Sequence, residues 1–245
     1  MQDIIYAASR RLLRAHIFKD VPHGTDFFFD IRRSLPNLKI EIIFDVGAHR
    51  GESALRFAQH YPGAKIYCFE PVRSTFTALQ RHFLNNNNVI CHQLGFSKTS
   101  GSGTFLLSQN SDMNRLVSAP PSLDPSAQTE TVPLETLDDF CVRSQIHHIN
   151  LLKIDTEGHD LDVLVGSDGL LQRHAIDLIR VEASMNSNNT YHCCMELIKA
   201  HLESKQYFLF GIYQQVPEWP TGSPNLRRAD LVFISQPVIE KNRKA

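Results

Sequence analysis

The stretch IIFDVGAHRGES, residues 42–53, decides the fold of this chain. An apolar run ends in an acid and a Gly-x-x-x-Gly turn follows at once, the pattern of a buried strand passing sharply into a helix. Glycines at 47 and 51 would let the backbone turn tightly, either to approach a ligand or simply to pack. Reading outward, GESALRFAQHY (51–61) sets Leu55, Ala58 and Tyr61 at helical spacing, and Pro62 and Gly63 stop that helix. KIYCFE (65–70) is a second strand, and Pro71 opens a helix through Phe83 with Phe76, Leu79 and Phe83 on one face. NNNN (85–88) is a turn and VICHQL (89–94) a third strand.

GTFLLS (103–108) reads as a further strand or hairpin arm. The polar, proline-bearing segment QNSDMNRLVSAPPSLDPSAQTE (109–130) is too long for a plain connector and is of the kind that forms lids. TVPLETLDDFCV leads into a helix, INLLKID (149–155) is a strongly apolar fourth strand, LDVLVGSDGLLQ (161–172) is helical and AIDLIRVEA (175–183) is a fifth strand. HCCMELIKAHLESK (192–205) is helical, and YFLFGIY (207–213) and ADLVFIS (229–235) close the chain as two strands. Strands alternating with helices predict an α/β domain around a mostly parallel, seven-stranded sheet. Only a polar turn region separates the last two strands, so the final strand is expected to be antiparallel. Residues 36–245 form this domain, preceded by a helical extension over residues 1–35. In the extension Ile4, Ile5, Ala8, Leu12 and Leu13 share one side of an amphipathic helix carrying three arginines, expected to pack on the body or on a second copy of the chain.

A hydrophobic content of 42% with 21% charged residues is that of a globular chain, and a formal net charge of -1 provides no global field to draw it to nucleic acid. No apolar stretch is long enough to span a bilayer. Cys68, Cys91, Cys141, Cys193 and Cys194 are scattered, with no C-x-x-C pair, a usage that fits a reducing cytoplasm. HHIN and YHCC carry metal-capable side chains at the wrong spacing for a tetrahedral zinc site.

In an open parallel sheet, ligands bind outside the carboxyl ends of the strands. Asp45, Glu70, Asp155 and Glu182 each fall at or near such an end. Four acids on one rim repel phosphate, and neither a Gly-Lys-Ser/Thr loop nor Gly-x-Gly-x-x-Gly is present, which disfavours a triphosphatase or a dehydrogenase. A ligand with positive charge and ribose hydroxyls suits the rim better, and S-adenosylmethionine has an ammonium, a sulfonium and a ribose diol. Asp45 could meet its amino-acid end, and Glu70, followed by Pro71, could accept both ribose hydroxyls.

FDVGAHRGES, YCFEPVRSTFTALQRHF, PLETLDDF, LLKIDTEGHDLDVLVGSDGLL and IRVEAS, in that order and spacing, resemble the FkbM-type methyltransferases over roughly residues 25–236. The resemblance implies a Rossmann-like class I methyltransferase fold, S-adenosylmethionine as methyl donor, and O-methylation of sugars, glycans or natural products. By motif matching it assigns cofactor contacts to Asp45, Gly47, Gly51 and Glu70, with Ala48 and Pro71 in the same turns, and more loosely to Gly95 and Ser97 near the adenine. Asp155 and Glu157 match the acidic signature beside the reacting centre, and Asp155 is a candidate cofactor contact as well. His49 stands where the family has Asn, and GHD (158–160) departs from the family as well, so His49 and His159 each become candidate bases, with the role of His49 left open.

Methyl transfer to a hydroxyl is an in-line displacement aided by a base or a metal. Asp155 is the first candidate for either task, with Glu157 and His159 beside it and Glu182 as a further oxygen ligand if a divalent ion such as Mg²⁺ takes part. The 109–130 segment and WPTGSPNLRR (219–228) are the expected acceptor-selecting loops, where Trp219 or Tyr213 could stack on a sugar ring. An N- or carboxyl-methylating enzyme, or a non-catalytic protein that keeps the cofactor fold, are the competing readings.

Overall fold

The computed structural model describes residues 20–108, 111, 114–117, 128–189 and 191–243. The amphipathic helix expected within residues 1–19, and with it any pairing of two copies through that helix, lies outside them, as does most of the 109–127 segment.

Seven strands form the main sheet: β1 (Ile42–Val46), β2 (Lys65–Phe69), β3 (Val89–His92), β8 (Ile149–Ile154), β9 (Ile176–Ser184), β10 (Tyr207–Glu218) and β11 (Ser223–Ser235). Their order is β10-β11-β9-β8-β1-β2-β3. All pairings among β3, β2, β1, β8 and β9 are parallel, while β11 runs antiparallel to both β9 and β10. This is the mostly parallel, Rossmann-like sheet with one antiparallel strand that the alternation of elements predicts. Strand order reverses between β1 and β8, so the crevice over their carboxyl ends is the switch point at which such sheets bind ligands.

Helices cover both faces because the inner strands are apolar on both sides. One face packs Phe44, Phe69, Leu152, Ile179 and Phe233 against α4 (Leu137–Arg143), α5 (Asp160–Val165), α6 (Asp168–Gln172) and α7 (Met195–Ser204). The other packs Ile43, Ile66, Leu151, Leu178 and Val232 against α1 (Phe27–Ser34), α2 (Glu52–His60), α3 (Arg73–His82) and α8 (Gln236–Asn242). Each large side chain buried this way stabilises the fold by about 2 kcal/mol. Asp26 caps α1 by accepting from Phe29 N at 2.9 Å, and Phe27, Phe28 and Ile31 carry this part of the extension into the second core.

A second sheet, ordered β4-β7-β5-β6, comprises β4 (Gly95–Phe96), β5 (Gly101–Leu106), β6 (Arg115–Val117) and β7 (Thr129–Glu135). The sequence reading has only β5 here. β7 begins in the polar segment and contains Pro133, and β6 lies inside the segment read as a loop. Both are strands because β5 supplies antiparallel partners for each. The helix expected over 161–172 is two short helices, since Ser167 Oγ donates to Leu164 O at 2.7 Å and ends the first. Strands β10 and β11 also run well beyond the apolar cores that announced them, so the expected 219–228 loop shrinks to a turn at residues 219–222. Tyr213 is buried under α1, its hydroxyl 3.1 Å from Asp30, because β10 lies in the packed sheet. That placement removes it from any sugar-stacking role. Trp219 is exposed at the hairpin tip.

Candidate active site

A cavity of about 420 Å³ opens at the switch point. The ends of β1, β2 and β8 floor it, with Ala48, His49, Glu70, Pro71, Lys153, Asp155, Glu157 and His159 among its lining. Leu94, Gly95, Phe96, Phe105, Leu116 and Leu134, largely from the second sheet, make an apolar wall. That size and mix of surfaces suit a small organic ligand.

The β1 turn folds over β2, with Gly47 N and Ala48 N both donating to Phe69 O at 3.0 Å. Gly47 has φ +74°, and a Cβ there would lie 1.8 Å from Asp155 O, so this glycine lets the ends of β1 and β8 close together. Gly51, at φ +94°, starts α2 where a Cβ would meet the Phe83 ring at 2.4 Å. Both glycines are therefore required by packing, while the cavity opens along the turn they create. Glu70 sits at its edge with both oxygens engaged: Oε2 accepts from His49 N at 3.1 Å and Oε1 from Val72 N at 3.0 Å. Burial nevertheless outweighs these bonds and pushes its carboxyl up to about 7.

Asp45 is fully buried and is not among the cavity-lining residues. Alternation along β1 turns it toward α2 together with Ile43, and Lys153 stands between it and the cavity. Lys153 Nζ lies 3.1 Å from Asp45 Oδ1 and 3.3 Å from Asp155 Oδ2, and donates to Gly47 O at 3.1 Å. Burial alone would discharge Lys153, but the two carboxylates outweigh it and raise its pKa. Burial likewise raises Asp45, against the pull of Lys153. Sequence reasoning missed Lys153. The one usable signal was a lysine inside the apolar run INLLKI, where a charge persists only if paired.

Beyond β8, Asp160 shapes the turn: its buried carboxylate accepts from Thr156 N at 3.0 Å and Gly158 N at 3.3 Å. Glu157 is held at φ +53°, a left-handed conformation that costs roughly 1 kcal/mol outside glycine. Burial, then the neighbouring Asp155 carboxylate, push Glu157 up to about 7. Glu182, at the end of β9, is paired with Arg228 and lies 2.8 Å from His192 Nε2. The same nitrogen is 3.6 Å from Glu157 Oε2. Among the described residues the group compact enough to hold a metal ion is Glu157, Glu182 and His192, all ligand atoms within 4.8 Å. Asp155, paired with Lys153, is not part of it. The sequence reading noted His192 only within YHCC, as a metal-capable side chain at the wrong spacing for a zinc site, because nothing local ties it to Glu157, thirty-five residues earlier.

The two histidines that depart from the family pattern both reach the second sheet and its connection. His49 Nε2 lies 2.9 Å from Ser111 Oγ, and His159 Nε2 lies 3.0 Å from Leu116 O, with its Nδ1 3.6 Å from Asp162. Gly95 lines the cavity, and a Cβ there would meet Leu134 at 2.7 Å. Ser97 does not line it. Its side chain is buried and its N–H donates to Glu135 O at 3.1 Å.

Among the described residues no helix is long and apolar enough to cross a membrane. A family model described as the methyltransferase FkbM domain matches residues 45–208. Methyltransferase 1 of Beauveria bassiana is 28% identical over 210 residues, covering 78% of this chain and 79% of that protein. The 2-O-methyltransferase NoeI of Sinorhizobium fredii is 24% identical over 147 residues, covering 54% of this chain and 59% of that protein. Among solved structures, the chain is similar to Aeropyrum pernix fibrillarin with natively bound S-adenosyl-L-methionine, at 9% identity and a TM-score of 0.44, covering 80% of this chain and 67% of that one.

Proposed function

Because this chain belongs to the FkbM family of S-adenosylmethionine-dependent methyltransferases, we propose that it methylates a hydroxyl group of a sugar, glycan or glycosylated natural product. The observation that carries the reading is a cavity at the switch point lined by the acids Glu52, Glu70, Asp155 and Glu157, with Lys153 the one lysine among its described lining. That rim favours a ligand with an ammonium and a sulfonium and disfavours phosphates. The name of the 2-O-methyltransferase relative supports oxygen as the accepting atom.

Glu70, fixed by two backbone N–H groups, keeps a free lone pair on each oxygen for a ribose diol. Gly95 and the apolar wall would flank the adenine, and Ala48 and Pro71 would bound the ribose. Asp45 acts at one remove, by holding Lys153, and Lys153 in turn fixes the carboxylate of Asp155. When bound, the cofactor would supply a methyl group on a positively charged sulfur; its transfer would form a C–O bond, break the C–S bond and leave the electron pair on sulfur. The acceptor proton passes to Asp155, which is partly exposed to the cavity. We assign His159, with both ring nitrogens engaged, to holding β6 over the cavity.

Calorimetry with S-adenosylhomocysteine, followed by transfer of labelled methyl from S-adenosylmethionine to panels of glycosides, amines and carboxylic acids, tests this. The expected product is a methyl ether on a glycoside. Label appearing only in amines or esters, or cofactor binding without turnover on any acceptor, would overturn it.

A further inference from the structure

Glu157, Glu182 and His192 come from three separate parts of the chain and meet beside the cavity. His192 Nε2 is 2.8 Å from Glu182 Oε2 and 3.6 Å from Glu157 Oε2. Neighbouring donors around one ion bound at about 2.1 Å are spaced in this range. A single proton on Nε2 bridges only one of these carboxylates, whereas one dication can bind all three atoms. The support behind the donors is also in place. Asn189, 4% exposed, sets its Oδ1 3.2 Å and its Nδ2 2.9 Å from His192 Nδ1, so the ring has an acceptor for an Nδ1 proton when Nε2 is deprotonated. Metal-bound imidazoles need such a partner. Gly158 seats the Glu157 turn against Tyr191 O, where a Cβ would fall at 2.4 Å, and Cys193 Sγ donates to Gly158 O at 3.0 Å. Arg228 occupies the other oxygen of Glu182.

We infer that Glu157, Glu182 and His192 form a binding site for one first-row transition-metal dication at the Glu157 edge of the cavity. Two carboxylates and an imidazole suit Mn²⁺ or Zn²⁺, whereas Ca²⁺ and Mg²⁺ favour all-oxygen shells. The inference rests on the methyl-transfer reading for its purpose: an ion there would lower the pKa of an acceptor hydroxyl before Asp155 takes its proton.

Metal-stripped full chain titrated with MnCl₂, with free Mn²⁺ read by electron paramagnetic resonance, tests the site without acceptor. We expect one ion per chain, weakened about tenfold or more in His192→Gln and Glu157→Gln, and displaced by Zn²⁺. Pulsed resonance on the wild-type complex should show coupling to one imidazole nitrogen, a readout that survives if a variant does not fold. Failure to bind Mn²⁺ or Zn²⁺ at about 1 mM, binding that both folded variants leave unchanged, or a bound ion with no nitrogen coupling would each overturn the inference. S-adenosylhomocysteine binding on the same samples separates the two readings. Cofactor bound without metal sinks the ion site alone, and metal bound without cofactor sinks the methyltransferase reading.

Discussion

Replacing Glu70 by Gln should stabilise the cofactor-free protein at alkaline pH and weaken cofactor binding at the same time. Burial pushes the Glu70 carboxyl from 4.5 up to about 7 in the folded state. An unfolded chain therefore releases this proton near 4.5, while the folded chain holds it until about 7. Between those values the folded state binds more protons, so raising the pH costs it stability, and above about 7 the loss is complete. The full penalty is about 3 kcal/mol, of which about 2.5 kcal/mol develops between about pH 5 and pH 8. Gln carries no charge and escapes this term. It also loses one acceptor for the His49 and Val72 N–H groups, a cost of about 1 kcal/mol that does not vary with pH. Urea denaturation of both proteins across that range, without cofactor, isolates the pH-dependent part. The stability of the variant relative to wild type should climb by about 2.5 kcal/mol from about pH 5 to pH 8. Losing one charge-assisted bond to the ribose should weaken S-adenosylhomocysteine by about 10- to 100-fold. A stability difference that stays flat with pH, or falls as pH rises, would refute the account of Glu70 as a carboxylate kept in an unfavourable site for its ligand.

Three further substitutions probe the rest of the site. Gly47→Ala should cost about 3 kcal/mol or more and abolish cofactor binding, because the new methyl must displace the Asp155 carbonyl. Gly63→Ala, with nothing within 4 Å, is the neutral control, and thermal melting compares the two. Lys153→Met should cost about 3 kcal/mol at neutral pH by stranding Asp45, with the deficit shrinking as acid protonates that carboxylate; the double change with Asp45→Leu should recover stability in urea melts. Asp155→Asn should leave S-adenosylhomocysteine affinity within about threefold while lowering methyl transfer by about 10²- to 10⁴-fold. Unchanged turnover would remove Asp155 as proton acceptor.

The order of strands and helices was legible because it is written in local signals: apolar runs, helical spacing and glycine or proline stops. IIFDVGAHRGES announced its strand, turn and helix, and β8 and β9 were plain in INLLKI and IDLIRV. The second sheet was not, because β6 and β7 are polar and become strands only by pairing with β5. Part of the site was legible too. Glu70 and Asp155 line the cavity and could be placed from strand ends alone, whereas Glu157, which lines it too, was indicated only by the resemblance to the methyltransferase family. Asp45 ends its strand just as visibly, yet the alternation of β1 turns it away from the cavity and behind Lys153.

By itself, then, the sequence determined the α/β order, the glycine turn and the acidic rim, since each depends on neighbours a few positions apart. The tertiary structure decided which charges are compensated and by what. Lys153 meets a carbonyl 106 residues away, and Arg228 reaches Glu182 across 46. Such pairs are set by strand register and by the packing of distant turns, and a buried charge has no local pattern that names its partner.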